Sequence, residues 1–266
     1  MESNKHLIIY AVIAIICFIE AKIFSSFPIG IFFFYAPLLA IVDREKQTFA
    51  SISILISGLL IISLFQGIVG FTNLEDAIFF FIFNTILLVS FRIIRRSMKF
   101  SIALLSFILF GASIDFLILY LDQIDNTLVL AYAFSNSTSW IQWFGYSGVL
   151  GGTVWILIVN LFFFMVFFYG MPLQKRLWRW RTMIMVVITI ALPIAISNLM
   201  LLQLTFGPEL LSQNTITDWS FLLATENPDN EVTSMMSKYG EYMGRTAVWL
   251  SLLIVLSAFV KFKTKV

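Results

Sequence analysis

Eight apolar stretches of membrane-spanning length recur along this chain, at about residues 7–24, 27–42, 49–71, 77–94, 100–121, 149–169, 183–204 and 248–262. The hydrocarbon core of a bilayer takes about 20 consecutive apolar residues as a helix, within a range of roughly 17–25. Inside it every backbone N–H and C=O must be paired within the protein. Together these constraints predict an all-α polytopic integral membrane protein, a single transmembrane domain over residues 1–266 with eight transmembrane helices. Only 12% of residues are charged, against about 25% in soluble domains, and the deficit lies in the long uncharged runs. The second stretch is short and carries Pro28 and Pro37. It is therefore expected to be kinked or partly re-entrant, its freed backbone groups covered by protein.

The basic residues predict an orientation. With the N-terminus in the cytoplasm, the segments on that side hold Lys5, Arg44, Lys46, Arg92, Arg95, Arg96, Lys99, Lys175, Arg176, Arg179, Arg181, Lys261, Lys263 and Lys265. The opposite side keeps only Lys22, Lys238 and Arg245. Loops rich in Lys and Arg stay inside, so both termini are predicted to be cytoplasmic. These clusters need no role beyond orientation and contact with anionic headgroups. Membrane lipids are the expected surroundings, and nucleic acid is not an expected partner.

Two segments on the outer side are long enough to carry structure. Between the fifth and sixth stretches, Trp140, Trp143 and Tyr146 recur every three residues beside the start of a span. They read as an interfacial aromatic belt or as a surface for a lipid or partner. Gly148, Gly151 and Gly152 follow, and Gly148 and Gly152 share a helix face on which a neighbouring helix could approach closely. Residues 205–247 form the other segment. There Val232, Met235, Met236, Tyr239 and Met243 recur at helical spacing after Pro228-Asp229, which predicts a short interfacial helix before the last span.

Visible chemistry is sparse. The only cysteine, Cys17, lies inside the first stretch, and no Cys/His set exists for a metal. Ile16 before it is too large for signal cleavage, so 7–24 reads as a retained span. The sole histidine, His6, sits at the cytoplasmic interface. No phosphate loop, nucleophile elbow, metal set or cofactor motif is present. Ionisable groups within spans are functional candidates by default. Glu20 lies about 20 Å along the first helix and Asp115 about 22 Å along the fifth, both toward the outer leaflet. The alternative for each is an acid hydrogen-bonded or ion-paired near the headgroups, with Lys22 or Arg245 as partner. Asn84, Asn160, Asn198 and Gln203 are expected to hydrogen-bond between helices.

Residues 140–160 read W-I-Q-W-F-G-Y-S-G-V-L-G-G-T-V-W-I-L-I-V-N. This stretch resembles the apolipoprotein N-acyltransferase family, whose members carry Q-W-x-x-x-(T/S)-G-x-x-G-G-(T/S)-x-W leading into their sixth span. Residues 238–245, K-Y-G-E-Y-M-G-R, are similar to that family's approach to its last span. The resemblance covers the membrane part and is thin over the first three stretches. In that family a periplasmic nitrilase-like domain between spans seven and eight carries a Glu-Lys-Cys triad, whose thiolate moves an acyl chain from a phospholipid to a lipoprotein amine. Here residues 205–247 form a short periplasmic segment in place of that domain, without a cysteine. No catalytic residue carries over.

The resemblance therefore implies a non-catalytic acyltransferase-like protein in the inner membrane of a Gram-negative bacterium. It would act as a subunit or as a lipid- or lipoprotein-binding module of a membrane complex. Glu20, Asp115, Trp140, Trp143, Tyr146 and Arg245 are its candidate binding residues. The membrane half of a split acyltransferase is the alternative, with a transporter behind it, although no inverted repeat points to transport.

Overall fold

The computed structural model describes residues 2–43, 49–68, 73–121, 124–169, 176–206 and 235–263. The described residues are helical, with no strand among them. The α-helices are α1 (Glu2–Ile23), α2 (Tyr35–Val42), α3 (Phe49–Ile68), α4 (Leu74–Ser97), α5 (Phe100–Tyr120), α6 (Phe144–Phe163), α7 (Arg176–Phe206) and α8 (Met235–Lys263). Among them, five segments are long and apolar enough to cross a membrane: Lys5–Ile23, Leu74–Ser97, Phe100–Tyr120, Ser147–Phe168 and Met183–Met200. Ile29–Val42, Ile52–Ile68 and Gly244–Ala258 are apolar but shorter. The chain is a multi-pass membrane protein. Its exposed Leu, Ile, Val and Phe side chains, such as Ile56, Ile86, Leu192 and Leu253, form the surface such a protein turns to acyl chains.

Helix α6 is the centre of the bundle. Its apolar window is 72% buried, whereas that of α7 is 11% buried. α6 packs against α2, α5, α7 and α8; α5 packs also on α4 and α8; and α1 packs on α2 and α3. Apolar burial does not drive helices together in lipid, where packing and interhelical hydrogen bonds take over. Both are visible here. Phe32, Phe34, Phe91, Phe107 and Phe164 are fully enclosed, and Trp155 meets Phe32 at 4.8 Å and Phe134 at 5.3 Å between ring centroids.

The second apolar stretch is broken, as its prolines predict. A 3₁₀ turn, Ile29–Phe32, follows Pro28 and leads into α2, in which Pro37 occupies the first turn. A first-turn N–H has no partner within its own helix, so proline is tolerated there. Leu38, Leu39 and Ile41 are wholly buried. At the other end of α2, Asp43 accepts from Arg95 Nε of α4 at 2.7 Å. The same guanidinium lies 4.9 Å from the centroid of Phe100 at the start of α5. One arginine thus fastens three helix ends.

Two expectations change in the structure. Met235, Met236, Tyr239 and Met243 do not form a helix of their own: they belong to one continuous α8, Met235–Lys263, that runs into the last span, and no proline interrupts it. Val232 and the rest of 207–234 lie outside the described residues, as does most of the short segment read at 205–247. The glycine face of α6 also differs. Gly148 has φ 67°, ψ 177° and kinks the element, a conformation essentially confined to glycine. The kink turns Phe144 back, so a side chain at Gly152 would meet the Phe144 ring of the same element and one at Gly151 would meet Ser147. Close approaches between helices occur instead at Gly111 of α5, against Leu157 of α6, and at Gly244 of α8, against Phe116 of α5.

The loosely held α7 is tied to the bundle through a proline. Pro193 has no N–H, so the carbonyl of Thr189, four residues earlier, loses its helical partner. Trp155 Nε1 of α6 donates to that carbonyl at 2.7 Å. Trp155→Phe keeps the ring packing and removes the donor. It should lower stability by about 2 kcal/mol, the scale of a buried polar group left unpaired, as measured by equilibrium unfolding in detergent. No change would mean that this carbonyl is otherwise satisfied.

Candidate functional site

The segment between α5 and α6 is folded rather than loose. Three 3₁₀ turns, Asn126–Leu128, Leu130–Phe134 and Thr138–Trp140, lie across the end of the bundle. Leu128, Val129, Ala131, Phe134 and Ile141 are buried beneath them. The segment is sewn to the end of α1 and the loop after it. Lys22 Nζ donates to the Thr127 carbonyl at 3.4 Å, Asn136 Nδ2 to Ser25 Oγ at 2.9 Å and Ser137 Oγ to the Ser25 carbonyl at 3.0 Å. On the α7 side, Ser197 Oγ donates to the Trp140 carbonyl at 2.8 Å.

The two acids singled out from the sequence do the same structural job. The first N–H groups of a short helical turn have no partner within it. Glu20 of α1 accepts through Oε2 from the N–H of Gly30 in the turn Ile29–Phe32. Asp115 of α5 accepts through Oδ2 from the N–H of Leu130, which opens the turn Leu130–Phe134, at 2.9 Å. The turns' own N-caps, Pro28 and Val129, supply no side-chain acceptor. A carboxylate from a neighbouring helix takes that place. Glu20 is half-buried and bonds Gly30 rather than pairing with Lys22. Asp115 is 5% exposed and accepts a second bond on the same Oδ2 from Thr153 Oγ1 of α6.

Beside Asp115 lies a partly open cavity of about 30 Å³, with Tyr35, Asn84 and Asp115 as its polar walls and Phe80, Leu128 and Leu157 among its apolar ones. Tyr35 Oη donates to Asn84 Oδ1 at 2.6 Å, and Asn84 Nδ2 donates to the Phe80 carbonyl at 2.8 Å. Nearby, Asn160 repairs the broken second stretch from both sides. Its Oδ1 accepts from Tyr35 N–H at 2.8 Å, and its Nδ2 donates to the carbonyls of Ile31 at 2.8 Å and Ile156 at 2.9 Å.

The other predicted residues are dispersed. Trp140 packs on Phe27 at 4.8 Å and Trp143 on Trp155 at 5.6 Å, so both rings are set against protein. Trp143 Nε1 is buried without a hydrogen bond. The side chain of Tyr146 lies outside the described residues, and Arg245 is on an exposed face of α8. Asn84 and Asn160 reach other elements, as expected. Asn198 instead bonds its own helix at the Ile194 carbonyl, and its neighbour Ser197 makes the bridge. Gln203 lies outside the described side chains. Tyr35 and Leu130 were not legible as site residues. One lies in an apolar run, and the other contributes only its backbone.

No family model matches the chain, and neither a curated protein nor a solved structure matches it. What the site can do follows from its own geometry. Among the described residues, Cys17 is partly buried on α1, and no group of three or more His, Cys, Asp or Glu side chains is placed to share a metal. The partners of the Asp115 carboxylate are hydrogen-bond donors, Thr153 and the Leu130 amide.

Proposed function

We propose that this chain is a non-catalytic, apolipoprotein N-acyltransferase-like protein of the inner membrane of a Gram-negative bacterium, with eight spans and both termini in the cytoplasm. It serves as a subunit or as a lipid- or lipoprotein-binding module of a membrane complex. One observation carries the reading. The residues that bear the resemblance are architectural: Thr153 binds Asp115, Trp155 holds the Thr189 carbonyl, Asn160 mends the second stretch and Gly152 seats Phe144. A scaffold held together by such contacts, beside a segment 205–247 that carries no cysteine, favours holding over acyl transfer. The one thiol in the sequence, Cys17, is in the first stretch, away from that segment in the chain.

The test uses the full chain in phospholipid vesicles with a photoactivatable diacylglyceryl lipopeptide. Saturable crosslinking without a triacylated product supports the proposal. Product that accumulates with time, and persists in Cys17→Ala, overturns it. Product that appears only when a soluble nitrilase-like chain is added assigns the split-enzyme alternative.

A further inference from the structure

We infer that the outward face of α4 holds one anionic phospholipid, its phosphodiester gripped by Arg92 and Arg96 and one acyl chain laid along Ile82, Ile86 and Val89. The inference names a resident lipid and does not depend on the role proposed above.

The last two turns of α4 carry three arginines in different situations. Arg95 is engaged inside the protein, with Asp43 and the Phe100 ring. Arg92 and Arg96 make no hydrogen bond or ion pair among the described residues. Arg92 is partly buried and Arg96 exposed. Four residues apart on one helix face, their Cβ atoms lie about 6 Å from each other, and like charges at that spacing repel. Both belong to the membrane-spanning segment Leu74–Ser97, where a guanidinium without a counter-charge is costly. The anion that the end of a span meets is a lipid phosphate. Arginine's planar fork matches phosphate oxygens two at a time, and two forks one turn apart can bracket a single phosphodiester.

The same face continues as an apolar stripe. Ile82, Ile86 and Val89 are 42%, 47% and 44% exposed, and they run on to Arg92 and Arg96 at the three- and four-residue steps of one helix face. From Ile82 to Arg92 the helix rises about 15 Å, half of the roughly 30 Å hydrocarbon thickness. That is the depth of one leaflet, so a phosphate held at Arg92 lays its acyl chain beside this stripe. The arginine pair also selects the headgroup. A choline or ethanolamine lipid brings its own cation toward the two guanidiniums, whereas a glycerol headgroup brings none. Phosphatidylglycerol therefore fits the site better than phosphatidylcholine.

The full-length protein, freed of lipid in detergent, is titrated with phosphatidylglycerol or with phosphatidylcholine of identical acyl chains, and bound lipid is counted by native mass spectrometry. The expected result is one phosphatidylglycerol that saturates ahead of any other lipid, with phosphatidylcholine weaker. Arg92→Gln combined with Arg96→Gln should weaken phosphatidylglycerol binding about thirtyfold, since each basic group at a lipid surface contributes about fivefold. Lys5→Gln combined with Arg181→Gln removes the same charge from exposed positions on α1 and α7 and should leave that binding unchanged. Glycerol 3-phosphate, which has the phosphate and no chain, should not displace the lipid. Equal binding of the two lipids to the wild-type protein overturns the inference, and this comparison needs no variant to fold. Equal losses in the two double variants also overturn it, as the mark of diffuse surface charge. So does displacement by glycerol 3-phosphate, the mark of a free-phosphate site.

Discussion

Asn160→Leu will lower the stability of the protein by about 4 kcal/mol, from two buried backbone groups that lose their partners at roughly 1–3 kcal/mol each together with the strain of a branched side chain in a filled site. Asn160 is wholly buried. Its amide serves the Tyr35 N–H and the Ile31 carbonyl, on either side of the break between the Ile29–Phe32 turn and α2. No water is present at the centre of a bilayer to replace those bonds. Equilibrium unfolding by SDS in mixed micelles gives the number. A loss below about 1 kcal/mol would mean that the broken stretch finds other partners. The bond to the Ile156 carbonyl lies within α6, so its removal is not the source of the effect.

Gly30→Ala should cost about 3 kcal/mol, the upper end for overpacking a filled interface. A methyl group there would overlap the backbone carbonyl oxygen of Cys17 and the Glu20 carboxylate. The carbonyl belongs to helix α1 and cannot swing aside as a side chain can. Relief requires α1 and the Ile29–Phe32 turn to part. That movement breaks the Glu20–Gly30 bond and opens the Phe18–Phe34 contact, now 5.2 Å between centroids. Gly58→Ala is the control. Its methyl would lie 3.6 Å from the Ala11 side chain, an ordinary contact, and alanine favours a helix interior by up to about 1 kcal/mol over glycine. The two alanine variants should therefore move stability in opposite directions. A similar melting profile for Gly30→Ala and the wild type would show that α1 does not pack on this turn as described.

The apolar pattern was enough to predict an all-helical membrane protein and to locate its apolar helices, although α7 and α8 begin well before the stretches read at 183–204 and 248–262. Hydrocarbon leaves the backbone few choices, and runs this long admit one. Pro28 and Pro37 marked the broken second stretch, since proline acts on its own backbone and the effect is local. The two acids could be flagged for the same reason: a carboxylate in an apolar run is conspicuous in sequence. What they do was decided only by tertiary structure. Glu20 meets Gly30 and Asp115 meets Leu130 because helices α1 and α5 end beside turns that lack caps of their own, and no periodicity encodes which helix end lies beside which turn. The glycines teach the same lesson. Spacing put Gly148 and Gly152 on one face, but a positive φ at Gly148 changed what that face meets, while Gly111 and Gly244 took close helix contacts. The cavity walls are contributed by Tyr35, Asn84 and Asp115 from three different helices, each ordinary in its own stretch. They come together only when α2, α4 and α5 pack, because the shape and charge of a space between helices belong to the packing and to no single segment.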